Sequence, residues 1–184
     1  MKRLCYVVFL ALLPMSCKDT VLPKPKALLS LEYPEATYQY FDPQKCPFVF
    51  ERNASTAVSL SGCDFQIAYA LQKATLFTTY KKVDQNLNEL LRDAQNLTQK
   101  HVVKAESISE QPYINPAKKV YGMLYHVTGE AASQTQFYLT DSLHHFFTGS
   151  VYFRARPNYD SILPASEYLR KDVIRLMESF EWKD

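Results

Sequence analysis

The run from residue 141 to residue 145 combines a carboxylate, a hydroxyl and two imidazoles. Asp141, Ser142, His144 and His145 are the residue types of a hydrolytic triad, in which a histidine activates the serine and a carboxylate orients the histidine. Members of such a triad usually come from separate parts of a chain and converge only after folding. Because these four are sequence neighbours, the pattern favours a polar connection between two strands. An envelope hydrolase that uses Ser142 with His144 or His145 is kept as an alternative.

The rest of the chain offers few other catalytic or cofactor-binding patterns. His101 lies at the end of a predicted helix, where an imidazolium would interact favourably with the helix C-terminus. The four glycines form no phosphate-binding loop, and the acidic residues are scattered without a close pair for acid–base catalysis. We therefore expect a protein that is not an enzyme and that holds no cofactor and no metal ion.

Cys46 and Cys63 are the cysteines of the expected mature chain besides Cys17. In an oxidising compartment they would form a disulfide that closes a loop of about 18 residues and contributes roughly 3 kcal/mol. Two buried thiols or a metal pair are the alternatives, although a metal site needs more ligands than these two. The disulfide also requires that the strands at 48–51 and 63–71 are not direct hairpin partners, since a simple hairpin would place the cysteines at its opposite ends.

The amino terminus has the features of an export signal. Lys2 and Arg3 precede an apolar run, residues 4–13, that is too short to span a bilayer. The following sequence Leu-Pro-Met-Ser-Cys17 resembles a bacterial lipobox, which implies that Cys17 is acylated and begins the mature chain. An ordinary signal peptide with an incidental cysteine is the alternative.

These features divide the chain into three parts. Residues 1–16 are interpreted as a lipoprotein signal peptide, residues 17–27 as the lipidated cysteine with a polar tether, and residues 28–184 as one domain. The chain has 21 Lys and Arg residues against 19 Asp and Glu residues, and removal of Lys2 and Arg3 with the signal would leave 19 of each. A neutral mature chain without a basic aromatic stretch argues against nucleic acid as a partner.

Hydrophobic alternation with period two predicts a series of strands. They are expected at residues 29–33, 48–51, 63–71, 75–80, 102–108, 120–127, 133–139 and 146–153. The last two flank a short polar connection and are predicted to form an antiparallel pair. No strand is assigned to the segment 52–62.

Helical spacing of apolar residues appears twice. The first helix is expected to run from Asp84, as N-cap, to about His101. The second is expected to start with Pro164 at its first position and to present one apolar stripe as far as Phe180. Grouped strands with two helices predict an α+β domain with an antiparallel sheet and both helices packed on it. The arrangement is similar to the α/β/α sandwiches of the PsbP and Mog1 type.

Several short motifs, spread over almost the whole mature chain, resemble the GldD-type gliding motility lipoproteins of Bacteroidetes. The motifs are Pro23-Lys24-Pro25-Lys26, Phe41-Asp42, Cys46-Pro47-Phe48, Phe50-Glu51, Cys63, Lys100-His101, Lys104-Ala105, Val120-Tyr121-Gly122, residues 136–142, His145-Phe146, Gly149-Ser150, Tyr152-Phe153, Pro157-Asn158, Asp160-Ser161 and Phe180-Glu181-Trp182.

This resemblance implies a lipoprotein of the cell envelope, anchored through Cys17 to a membrane and facing the periplasm. It implies a role in gliding and in type IX secretion, with other lipoproteins and envelope proteins of that machinery as partners, and it implies no catalytic residue. A module that binds a small ligand or lipid in a sandwich-type pocket is the alternative function. An exposed aromatic face on the sheet or near Trp182 would be a natural interface.

Three tripeptides resemble the short O-glycosylation motif of this bacterial group. They begin at Asp19, Asp141 and Asp160. Thr20 is the best candidate acceptor, because Asp19-Thr20-Val21 lies in the expected tether.

Overall fold

The computed structural model describes residues 31–99, 105–154 and 158–183, and it confirms the α+β class. The strands are β1 (Tyr38–Phe41), β2 (Phe48–Asn53), β3 (Ala57–Ser61), β4 (Asp64–Tyr69), β5 (Ala74–Lys82), β6 (Ala105–Asn115), β7 (Val120–Gly129), β8 (Thr135–Thr140), β9 (His145–Phe153) and β10 (Glu181–Trp182). The helices are α1 (Leu87–Gln99) and α2 (Tyr159–Ser179), with a 3-10 turn at Pro116–Lys118. Within the described ranges, neither helix is long and apolar enough to cross a membrane.

The strands form two antiparallel sheets. Seven of them make a sheet in the order β3-β4-β5-β9-β8-β7-β6, and the other three make a small sheet in the order β1-β2-β10. The expected antiparallel pair is confirmed, since β8 and β9 pair with Gln136 opposite Ser150 and Thr140 opposite Phe146. The likeness to PsbP and Mog1 domains stays a prediction.

Two strand predictions need correction. Residues 31–37 form no strand, and the first strand follows at β1; Tyr33 packs its ring on Tyr168 of α2 instead, with 5.3 Å between ring centroids. The unassigned segment 52–62 contains β3, which pairs with β4 at the edge of the large sheet. Its alternation is short, since Val58 and Leu60 are the only large apolar side chains in its five residues, and its side chains are mostly exposed.

The two helices begin at other residues than their sequences indicated. Pro164 lies inside α2, because Asn158 caps the helix earlier by accepting a hydrogen bond from the Ser161 backbone N–H at 3.4 Å. Helix α1 begins at Leu87, and Asp84 is not its cap: the Asp84 backbone N–H donates to Asn86 Oδ1 at 2.9 Å. His101, at the expected end of the first helix, lies outside the described residues.

The core lies between the large sheet and a layer formed by the small sheet and α2. From β2, Phe48 and Phe50 are fully buried in this layer, as are Leu169 and Phe180 at the α2 side. The ring of Phe48 contacts the rings of Phe50, Phe65, Tyr80, Phe147, Phe180 and Trp182, with centroids 5.0 to 6.5 Å apart. On the opposite face of the large sheet, α1 packs against β8 and β9.

Replacement of Phe48 by alanine should lower the free energy of unfolding by about 3–5 kcal/mol, because it leaves a cavity at the centre of this aromatic cluster. The matched control is Phe77→Ala: Phe77 is 42% exposed, and its loss should cost about 1 kcal/mol. Urea unfolding of both variants measures the difference. Equal losses would show that Phe48 does not hold the two sheets together.

Candidate functional site

The strands and the carboxyl terminus converge at one end of the domain. His145 at the start of β9 lies opposite Lys82 at the end of β5, and Trp182 of β10 lies opposite Phe48 of β2. The two sheets therefore meet at the side chains of His145 and Trp182. We call this region the Trp182 end and define it by Tyr80, Asp141, His144, His145 and Trp182.

His145 is the centre of the Trp182 end. Its imidazole stacks on the indole of Trp182, with 5.0 Å between centroids and 20° between planes, and its Nδ1 shares a 2.7 Å hydrogen bond with the Tyr80 hydroxyl. Burial lowers the pKa of His145; the Asp141 carboxylate opposes this effect, and neighbouring cations add to it. Burial raises the pKa of Tyr80. Both side chains are thus neutral near pH 7, which suits an aromatic contact surface.

The Asp141 carboxylate organises the loop that precedes His145. Its Oδ1 accepts hydrogen bonds from the backbone N–H groups of Leu143, His144 and His145, at 3.0, 2.8 and 2.8 Å. Burial alone would raise the pKa of Asp141, but these three donors outweigh it and the pKa lies below its ordinary value. The carboxylate therefore remains ionised at neutral pH and holds the loop in one conformation.

The alternative function considered from the sequence was a hydrolase that uses Ser142 with His144 or His145. The structure places these residues close together but not in the geometry of a catalytic triad. His144 Nδ1 lies 3.5 Å from Asp141 Oδ2, but in the described part of the chain no hydrogen bond joins Ser142 Oγ to His144 or His145. Ser142 has φ +69°, in the left-handed region, and its backbone N–H donates to Thr140 Oγ1 at 2.9 Å. The arrangement builds a tight polar turn between β8 and β9.

Two open grooves flank His145, and charged side chains border both. One groove, of about 640 Å³, lies on the Trp182 side and is lined by Lys118, Lys119, Leu143, His144 and Glu181 among others. The second, of about 590 Å³, lies on the Tyr80 side and is lined by Lys45, Pro47, Cys63, Lys82 and Lys183 among others. Lys118 pairs with Glu181 at 2.9 Å, and Lys183 pairs with Asp42. The result is an aromatic centre with a charged, solvent-exposed rim.

Cys46 and Cys63 form a disulfide beside the second groove, with their Cα atoms 5.5 Å apart. It joins the segment before β2 in the small sheet to the turn between β3 and β4 in the large sheet. Since β2 pairs with β1 and β10 rather than with β4, the two cysteines are not held at opposite ends of one hairpin. The bond fixes one wall of the groove across the two sheets.

Other candidate residues lie elsewhere. Cys17 and Thr20 precede the described residues, so lipidation and glycosylation there stay predictions. Ser142 and Ser161, in the other two glycosylation-like tripeptides, are exposed, the first in a loop and the second in the first turn of α2. In the ranges 31–99, 105–154 and 158–183, no three His, Cys, Asp or Glu side chains are grouped so that they could hold a metal ion.

The sequence did not reveal that Tyr80, His145 and Trp182 are neighbours. His145-Phe146 and Phe180-Glu181-Trp182 were separate motifs, and Tyr80 was simply the last residue of an expected strand. Their contact depends on β10 returning to the start of β2, which no local pattern encodes. Cys46, Cys63 and Asp141, which belong to the quoted family motifs, lie at this end, whereas Tyr152-Phe153 lies at the opposite end of β9.

The chain matches a known protein family. A family model described as "Gliding motility lipoprotein GldD" matches residues 18–182, which is nearly the whole chain and begins directly after Cys17. No curated protein matches the chain significantly.

Removal of the disulfide should destabilise the domain. The double variant Cys46→Ser, Cys63→Ser should lose roughly 3 kcal/mol of unfolding free energy, because the unfolded chain regains the entropy of a loop of about 18 residues. Urea unfolding with and without a reductant measures this loss. The reductant should lower the stability of the wild type to that of the variant and leave the variant unchanged; a wild type indifferent to reductant would contradict the expectation.

The stability of the domain should fall on acidification, because the imidazole of His145 is partly buried. The native pKa of His145 lies below the ordinary value of about 6.5, so under about pH 6.5 the unfolded state binds more protons and stability falls as pH decreases. The variant His145→Gln should lose less unfolding free energy than the wild type between about pH 7.5 and about pH 5. Burial also lowers the pKa of His126, so part of the pH dependence should remain.

The reference for this measurement is the wild type, unfolded under the same conditions at each pH. An identical profile in the wild type and in His145→Gln would show that the His145 imidazole is not sheltered in the native state.

Proposed function

The chain belongs to the gliding motility lipoprotein GldD family, and from this premise we propose that it is a noncatalytic component or assembly factor of the gliding motility and type IX secretion machinery. A member of a lipoprotein family is a lipid-anchored protein of the cell envelope. We propose further that Cys17 carries the lipid, that the domain faces the periplasm, and that its partners are other lipoproteins and envelope proteins of that machinery.

The observation that carries this proposal is the family match over residues 18–182. Protein interfaces often combine a buried aromatic centre with a polar rim, and Trp and Tyr are frequent energetic anchors. His145 stacked on Trp182, bordered by Lys118, Lys119 and Glu181, has this composition. We therefore assign the Trp182 end as the partner-binding surface.

The tether sets how far this surface reaches from the membrane. A chain of the length from Cys17 to Leu31 spans at most roughly 50 Å when fully extended. Such a leash restricts the domain to a thin layer next to the bilayer and raises its effective concentration toward partners anchored in the same membrane. Lipidation thus contributes to assembly without adding a contact.

The polar turn after β8 supports a noncatalytic role for Ser142. Asp141 Oδ1 is occupied by three backbone donors, and Thr140 Oγ1 both accepts from the Ser142 N–H and donates to the His145 carbonyl at 2.7 Å. These bonds account for the turn as a structural element. On this proposal, replacement of Ser142 by alanine leaves gliding and secretion intact.

Crosslinking and affinity capture from the native envelope would test the function. Wild type should recover lipoproteins of the gliding and secretion machinery, whereas Cys17→Ala should recover several-fold less, because it loses the effective concentration that the tether supplies. Lys119→Glu should also reduce recovery, since it reverses a charge on the rim of the Trp182 end while its exposed position leaves the fold intact.

The matched control is Lys171→Glu, the same charge reversal at an exposed position on α2. It should recover partners as the wild type does. If the wild type recovers none of this machinery, the proposed function is wrong; if Lys119→Glu and Lys171→Glu behave alike, the surface is misassigned.

A further inference from the structure

A cavity lies on the face of the large sheet that is turned away from the aromatic core. Of the described elements, α1 is the one that packs on this face, over β8 and β9. Between α1 and the strands lies a space of about 190 Å³. This cavity is on the other side of the sheet from the small sheet and is separate from the two grooves at the Trp182 end.

Both walls of the cavity carry apolar side chains. The wall contributed by α1 contains the apolar residues Leu90, Ala94 and Leu97 besides Asp93, and the sheet contributes Tyr125 and Phe146 among other residues. Leu90, Tyr125 and Phe146 are buried. These apolar side chains offer a surface on which a short hydrocarbon chain can pack.

The floor of the cavity carries a small polar patch. Thr79 of β5 lies directly opposite Thr148 of β9, and Lys81 is two residues further along β5, on the same face of the sheet. Lys81 is exposed and forms no ion pair with another described residue. Asp93 of α1 also lines the space, and its side chain is exposed as that of Lys81 is. Two hydroxyls and an unpaired ammonium together can hold a carboxylate.

We propose that this cavity binds a single-chain anionic amphiphile of the fatty-acid class, with its carboxylate at Lys81, Thr79 and Thr148 and its hydrocarbon chain against α1. The apolar helix wall matches the chain, and the cationic patch matches the head. A neutral hydrocarbon would contact only the apolar wall, and a small polar ion would contact only the patch at Lys81. The site shares β5 and β9 with the Trp182 end but lies on the opposite face of these strands, because Thr79, Lys81 and Phe146 alternate with Tyr80 and His145 along them.

Photolabelling would test this site in the full chain, purified from its membrane and reconstituted in lipid nanodiscs. The probe is decanoate with a terminal diazirine, and mass spectrometry locates the label. Adducts should map to α1 and to the facing part of β9. Unlabelled decanoate should compete at a concentration roughly tenfold lower than decanol, because the alcohol lacks the charge that Lys81 binds.

Two pairs of variants give the controls. Ala94→Phe fills the cavity from α1 and should abolish labelling, whereas Asn96→Phe places the same ring at an exposed position of α1 and should preserve it. In Lys81→Met, decanoate and decanol should displace the probe at similar concentrations. The control is Lys82→Met, since Lys82 is also exposed but points to the other face of the sheet, and this variant should still prefer decanoate.

Labelling scattered over the surface, or labelling that excess decanoate does not displace, would overturn the proposal. So would undiminished labelling of Ala94→Phe with an unchanged circular dichroism spectrum. If Ala94→Phe does not fold, Lys81→Met decides, since an unchanged preference for decanoate in that variant would also rule out the site.

Discussion

Aromatic packing across the gap between the two sheets is the interaction on which the structure depends. In the described part of the chain, no backbone ladder joins the small sheet to the large one. The two are held instead by side chains, with Phe48 and Phe50 of β2 packed on Phe65 of β4 and Phe147 of β9. The free energy gained by such packing is roughly proportional to the apolar area that is buried. Phe side chains bury a large area each, so a chain rich in Phe suits an architecture in which side chains alone join two sheets.

This packing also builds the Trp182 end. Helix α2 carries the chain back along the small sheet, and Phe180 enters the aromatic cluster directly after the helix ends. The next residues can then pair with β2, which places Trp182 against His145. The disulfide between Cys46 and Cys63 reinforces the same junction covalently. The Trp182 end is therefore built by both sheets and tied to the core beneath it by side-chain packing and by one covalent bond.

A buried carboxylate fixes the other side of the small sheet to α2. Asp172 accepts hydrogen bonds from the Tyr38 hydroxyl and from Asn53 Nδ2, both at 2.8 Å. Burial raises the pKa of Asp172, although these donors act in the opposite direction. A carboxylate held by specific donors tolerates few alternative placements of β1 and β2 on the helix, whereas apolar packing alone would permit sliding. Polar bonds on one side and aromatic packing on the other together set one position for the small sheet.

The sequence by itself determined what depends on local patterns. Alternation and helical spacing were sufficient for the α+β class, for most of the strands, and for the existence of two helices, because those periods arise from residues close in the chain. Short motifs were sufficient for the family. Local patterns failed at β3, whose alternation is limited to Val58 and Leu60, and at the start of α2, where Asn158 caps the helix ahead of Pro164. Tertiary structure alone decided that β2 leaves the large sheet and pairs with β10, that His145 meets Tyr80 and Trp182, and that α1 leaves a cavity over β9. Each of these depends on contacts between residues far apart in sequence, whose free energy is gained only when the whole chain has closed around the aromatic core.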